Sequence, residues 1–202
     1  MKPIMPLNDS KIPRRLWDIA DVYRRMANAC DMPSDVAVCY RVQPDFNLKL
    51  HGRALGECEQ MLTKLDEQGV ELRTTFACHV FWVPHLIPGT DRSMHVDRQR
   101  AALREIREDL DLPEQHLAGF GDLNILAGLI LTHSKLMKSA QPLESKWCRT
   151  ETLNAKGHHL LLGYINGNLT CQNWVFGNCG AEGVGVFPFG MEAPTNRNKR
   201  RQ

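Results

Sequence analysis

Ile165-Asn166-Gly167-Asn168 is the strongest local signal in the chain. Asn-Gly supplies the two positive φ angles that a two-residue type I′ turn requires. The flanking residues predict strands near 158–165 and 168–175. In that register Leu162 faces Cys171, Tyr164 faces Leu169 and His159 faces Trp174. A further strand, Val184 to Phe189, is expected to complete a small antiparallel β-meander.

Working outward, Pro142 marks a change of character: glycine is frequent after it, and helical periodicity is confined to the residues before it. Leu16, Ile19, Ala20, Tyr23, Met26, Ala27 and Cys30 recur at three- and four-residue steps, which places them on one helix face between Ser10 and Cys30. Asp9 or Ser10 caps its start, and Pro13 fits only in the first turn. Val36, Val38, Tyr40 and Val42 alternate as in a strand. Leu55, Cys58, Leu62 and Leu65 share a second helix face, with Gly69 where a C-terminal cap belongs. Alternation from Val70 to Trp82 predicts a second strand. A parallel, right-handed crossover is favoured if these two strands are neighbours.

Residues 84–94 read as a loop. A charged helix follows from about Met94 to Leu110, and Asp122 caps an almost wholly apolar helix, Leu123 to Met137, whose apolar run ends at His133. The expected fold class is therefore α/β or α+β: an N-terminal α-β-α-β unit, two central helices and a C-terminal antiparallel β-meander. Residues 1–193 are expected to form a single domain, with 194–202 a disordered basic tail. Periodicity does not decide whether the two β regions share one sheet.

The net charge of the 202 residues is +2, and Arg197, Lys199, Arg200 and Arg201 supply four positive charges; removing them leaves −2. The body is not basic, so a nucleic-acid argument from charge rests on the tail alone. Seven cysteines, an odd number without CxxC spacing, and no apolar leader at the N-terminus point to free thiols and a cytoplasmic location. The longest strongly apolar run, Leu123 to Leu131, is about half a membrane span, so no membrane association is expected.

Several groups are candidates for chemistry. The segment Trp147-Cys148-Arg149-Thr150-Glu151-Thr152 reads as a loop before the hairpin and mixes aromatic, cationic and acidic groups. Arg149 and Glu151 are its binding candidates, or else an ion pair holding the loop down. As loop residues they predict that Arg149→Ala leaves stability nearly unchanged. Arg100, Arg104 and Arg107 form a basic stripe at helical spacing, with acids close by for internal ion pairs. The tail residues Arg197, Lys199, Arg200 and Arg201 are candidates for weak, non-specific nucleic-acid contact.

A thiolate nucleophile needs an imidazole within reach. As strand neighbours Cys78 and His79 point to opposite faces and cannot pair. The catalytic candidates are His85, Cys148 and His158, with His95 nearby in sequence. His158, His159, Cys171 and Cys179 lack a zinc-ligand spacing, so no metal or other cofactor is expected. No phosphate loop, nucleophile elbow or HExxH helix is present, and Gly119-Phe120-Gly121 lacks the third glycine of a dinucleotide fingerprint.

Two functional classes follow. The first is a non-catalytic binding or accessory protein for a protein or nucleic-acid partner. The alternative is a small Cys/His-dependent hydrolase or transferase with its site between the 78–95 and 147–159 segments.

Overall fold

The computed structural model describes residues 2–72, 75–137 and 141–193. In chain order these form β1 (Ile4–Pro6), α1 (Trp17–Ala29), β2 (Cys39–Val42), α2 (Leu48–Leu55), α3 (Glu59–Glu67), β3 (Cys78–Trp82), α4 (Val96–Asp109) and α5 (Leu123–Met137). Then come β4 (Trp147–Leu153), β5 (His159–Ile165), β6 (Asn168–Asn173), β7 (Val184–Gly185) and β8 (Phe189–Glu192). The fold is mixed α+β, with two four-stranded sheets of order β1-β2-β3-β8 and β6-β5-β4-β7.

The hairpin forms as the turn chemistry dictates. Asn166 and Gly167 have φ of 51° and 79°. Leu162 pairs with Cys171 and Tyr164 with Leu169, and Trp174 N–H donates to His159 O at 2.9 Å. The meander exists, but its third strand is β4, the 147–152 segment expected to be a loop. Its mixed composition hid it, because Arg149 and Thr150 are polar side chains on a buried strand. The 184–189 segment divides instead: β7 pairs with β4 in parallel, and β8 joins the other sheet against β3.

The α-β-α-β order is present, with two corrections. The second helix is broken at Gly56 into α2, capped by Asn47, and α3. Strands β2 and β3 are neighbours but antiparallel. Their connection is no crossover: Asp45 N–H donates to Thr75 O at 2.8 Å, and Thr75 N–H donates to Phe46 O at 3.2 Å. Those bonds close the strand ends into a neck, and the helices beyond it pack on α5 and β6. β3 is also shorter than expected, because β2 offers partners only from Cys39 to Val42. Phe76, on the same alternation as Val80 and Trp82, lies before the strand and is 90% exposed.

The largest core unites the two sheets around α5. Tyr40, Val42, Val80 and Trp82 face it from the first sheet, and Cys148, Leu160, Leu162 and Cys171 from the second. The opposite face of the first sheet, with Cys39 and Phe81, packs on α1 and α4. There His116 joins Tyr23 Oη at 3.2 Å through Nδ1 and Glu192 at 3.1 Å through Nε2. Glu192 accepts from Nε2–H, so Nδ1 accepts from the Tyr23 hydroxyl.

This imidazole sits over the backbone of Gly190; a Cβ there would fall inside the contact radius of His116 Nδ1 and lie 2.7 Å from Tyr23 Oη. Gly190→Ala is therefore expected to cost about 1–3 kcal/mol of stability by overpacking. Urea denaturation checks this, and unchanged stability would show that His116 yields freely.

Candidate functional site

Tyr40, Trp82 and His133 come together from three elements. Alternation along β2 turns Tyr40 away from Cys39 and toward α5. Trp82 lies beside it on β3, with its backbone N–H donating to Val38 O at 3.0 Å. The rings of Tyr40 and Trp82 meet edge to face at 6.0 Å, and Trp82 meets the imidazole of His133 at 5.8 Å. Tyr40 and Trp82 are wholly buried and His133 nearly so.

Tyr40 and His133 line a cleft of about 780 Å³. Ile12, Val36, Val38 and Leu136 give it apolar walls, and Asp9, Lys11, Arg24 and Asp35 form a charged rim. Arg24 is already paired with Asp9 and Asp21. Tyr40 Oη, on a residue that lines the cleft, and Trp82 Nε1, behind that wall, are buried without a hydrogen-bond partner among the described residues. Each such group costs about 1–3 kcal/mol.

The base of the cleft carries no charge at neutral pH. Burial, reinforced by Cys39, raises the Tyr40 hydroxyl far above its ordinary range. Burial also lowers the His133 imidazole, which favours its neutral form. The lining groups therefore offer a phenol and a neutral imidazole beside an apolar wall. That set suits an uncharged hydroxyl or carbonyl; an anion there would be desolvated without a cation.

The binding residues expected from sequence are partly assembled. Arg100 Nη2 donates to Glu151 Oε2 at 2.8 Å, and its guanidinium lies 4.6 Å from the centre of the Phe120 ring. Arg104 is exposed, while Arg107 Nη1 donates to Glu114 O at 3.4 Å. The stripe is thus divided among different partners. Arg149 does not pair with Glu151. It is fully buried, donates through Nε to Gln99 Oε1 at 2.9 Å and through Nη2 to Cys179 O at 3.4 Å. Burial, with repulsion from Arg100, lowers it to about 10. Arg197, Lys199, Arg200 and Arg201 lie outside the described residues.

The catalytic candidates are dispersed. Cys148 is fully buried; its thiol donates to Arg149 O at 3.2 Å, and burial pushes it up to about 12. His85 bonds Leu86 O through Nδ1 at 2.7 Å and lines a different cleft, beside Asp91 and Lys146, where neither Cys148 nor His158 takes part. His158 Nδ1 is buried without a partner among the described residues, and His95 lies 3.5 Å from Asp97 at the surface. Cys78 faces the large core, and burial raises its thiol to about 11. Among the described residues no group of three or more His, Cys, Asp or Glu side chains is arranged to hold a metal ion. Nor is any described helix long and apolar enough to cross a membrane.

No protein-family model, no curated protein and no solved structure matches this chain. The site therefore rests on its own geometry. Sequence reasoning missed Tyr40 and Trp82 because both lie on ordinary strand alternation. His133 left a signal: it is the polar residue that ends an apolar helix face.

Proposed function

We propose that this chain is a non-catalytic binding protein whose ligand is a small, largely apolar molecule carrying an uncharged hydroxyl or carbonyl group. The observation that carries this reading is Tyr40, which lines an open cleft and whose buried hydroxyl has no partner among the described residues. Buried polar groups are nearly always satisfied, so an orphan at a cleft wall is explained by what the cleft receives. The ligand's oxygen accepts from Tyr40, its apolar body covers Val36, Val38 and Leu136, and its remaining polarity meets His133.

The binding class expected from sequence is kept, and a small molecule replaces the macromolecular partner. Nucleic-acid contact by the basic tail is supported by its charge alone. A cytoplasmic location is supported by the seven free cysteines. The Cys/His enzyme has less support, because its thiol candidate Cys148 is sealed and protonated.

The test is Tyr40→Phe, with 1-decanol as the probe. In the empty protein, removing an unsatisfied hydroxyl is expected to raise the unfolding free energy by about 1 kcal/mol. The same change is expected to weaken 1-decanol binding about fivefold to tenfold, the worth of one hydrogen bond. Urea denaturation and titration calorimetry read the two effects. Absence of 1-decanol binding to the parent, or equal binding by the variant, overturns the reading.

A further inference from the structure

A second cleft, of about 550 Å³, adjoins the first: Pro6 and Leu136 line both. Its walls are apolar, from Pro3, Ile4, Ala54 and Leu55. The charged side chains lining it are Lys2 and Lys135. Neither has a carboxylate partner among the described residues. Lys135 Nζ donates to a backbone oxygen, Ala54 O, at 3.2 Å. Leu136, on the shared ridge, is 47% exposed although apolar surface lies on both sides of it.

We propose that the two clefts act as one groove for a free, single-chain amphiphilic carboxylate. The carboxylate sits between Lys2 and Lys135, the chain crosses Pro6 and Leu136, and an uncharged hydroxyl at its far end accepts from Tyr40. The chemistry at the two ends requires this polarity. The Tyr40 end is neutral and buried, so it rejects an anion. The lysine end is cationic and solvated, so it accepts one at low desolvation cost. The four residue steps from Lys2 to Pro6 span at most about 13 Å, a length that a medium acyl chain matches.

This proposal rests on the reading of the Tyr40 cleft as a ligand site. Titration calorimetry on the full chain compares 10-hydroxydecanoate with 1-decanol, which has a methyl in place of the carboxylate. The 10-hydroxydecanoate is expected to bind about tenfold tighter, since two exposed ion pairs are each worth up to about fivefold and the Tyr40 bond is common to both probes. The double variant Lys2→Ala/Lys135→Ala should bring 10-hydroxydecanoate to the level of 1-decanol and leave 1-decanol unchanged. Both lysines are exposed, so the variant retains the fold. Raised salt should shrink the advantage of 10-hydroxydecanoate in the parent.

Equal affinity for the two probes overturns the carboxylate proposal and leaves the cleft reading intact. Failure of both probes to bind overturns the cleft reading itself. Sedimentation with phosphatidylserine-containing vesicles, lost in the double variant, assigns the lysines to a membrane surface and also overturns the free-ligand proposal.

Discussion

Arg149→Ala is expected to lower the unfolding free energy by about 3–5 kcal/mol, the range for breaking a buried charged network. The guanidinium is enclosed on every side. Its Nε donates to Gln99 Oε1, and its plane lies 5.2 Å from the centre of the Trp174 ring. Gln99 is itself wholly buried and donates to Thr90 O at 2.9 Å and Val184 O at 2.8 Å. One side-chain pair thus ties α4 to β4, β7 and the loop after β6. Alanine leaves Gln99 Oε1 and Cys179 O short of a donor, opens a cavity under Trp174 and removes a cation–π contact.

The opposing term is the charge. Among the described residues Arg149 has no carboxylate partner and one unpartnered nitrogen, Nη1, so the native protein carries a desolvation penalty that alanine relieves. Arg149→Met separates the two terms, since it keeps the stem volume and removes the charge. It is expected to cost about 1–2 kcal/mol, less than alanine, because packing is retained while the hydrogen bonds are lost. Urea denaturation of both variants decides. A loss below about 1 kcal/mol for alanine would show that the network clamps nothing.

The Arg149 network also shows where sequence stopped being informative. Helix α5 was legible to the residue, because an apolar run with Asp122 ahead of it has one low-energy outcome. The hairpin was legible because Asn-Gly fixes both turn type and register. Both are local decisions. Strand β4 was not legible: its polar side chains are satisfied by Gln99, Leu160 O and Asp122, far away in the chain. The antiparallel pairing of β2 and β3 was set by the Asp45–Thr75 neck, a backbone closure without a sequence motif. The same holds for the cleft. Tyr40 and His133 are visible in the sequence, but that Tyr40 Oη has no partner among the described residues is a property of packing alone.

Stability is expected to fall steeply on acidification from neutral pH, because two histidines are folded in their neutral form. Burial lowers His116, although Glu192 partly offsets it by favouring the charged ring. Burial alone lowers His133. Each folded pKa lies below the ordinary 6.5, so below that pH the unfolded chain binds more protons than the native one. The stabilisation is full above 6.5 and is lost as pH falls through the depressed folded values. Each histidine contributes a slope of up to about 1.4 kcal/mol per pH unit, approaching 3 for the pair.

His79, also lowered by burial and by Arg15 and Arg41, adds a smaller share because it is only partly covered. Glu192 acts in the same sense further down. Burial raises its carboxyl, but the bonds from His116 and Gln115 outweigh that and hold it below the ordinary 4.5. Its contribution is present above 4.5 and lost as pH falls through the folded value.

The alkaline side is bounded by thiols. Burial raises Cys39, Cys148 and Cys171 from 9.0 to about 12. Their stabilisation is full below 9.0 and is lost as pH rises toward 12. Urea denaturation across pH is therefore expected to give a plateau between roughly 6.5 and 9, with losses on both sides. His133→Leu should roughly halve the acid slope while His116 keeps the remainder. A stability unchanged between pH 7 and pH 5 would mean that both imidazoles reach water in the native state, which would open the base of the Tyr40 cleft as well.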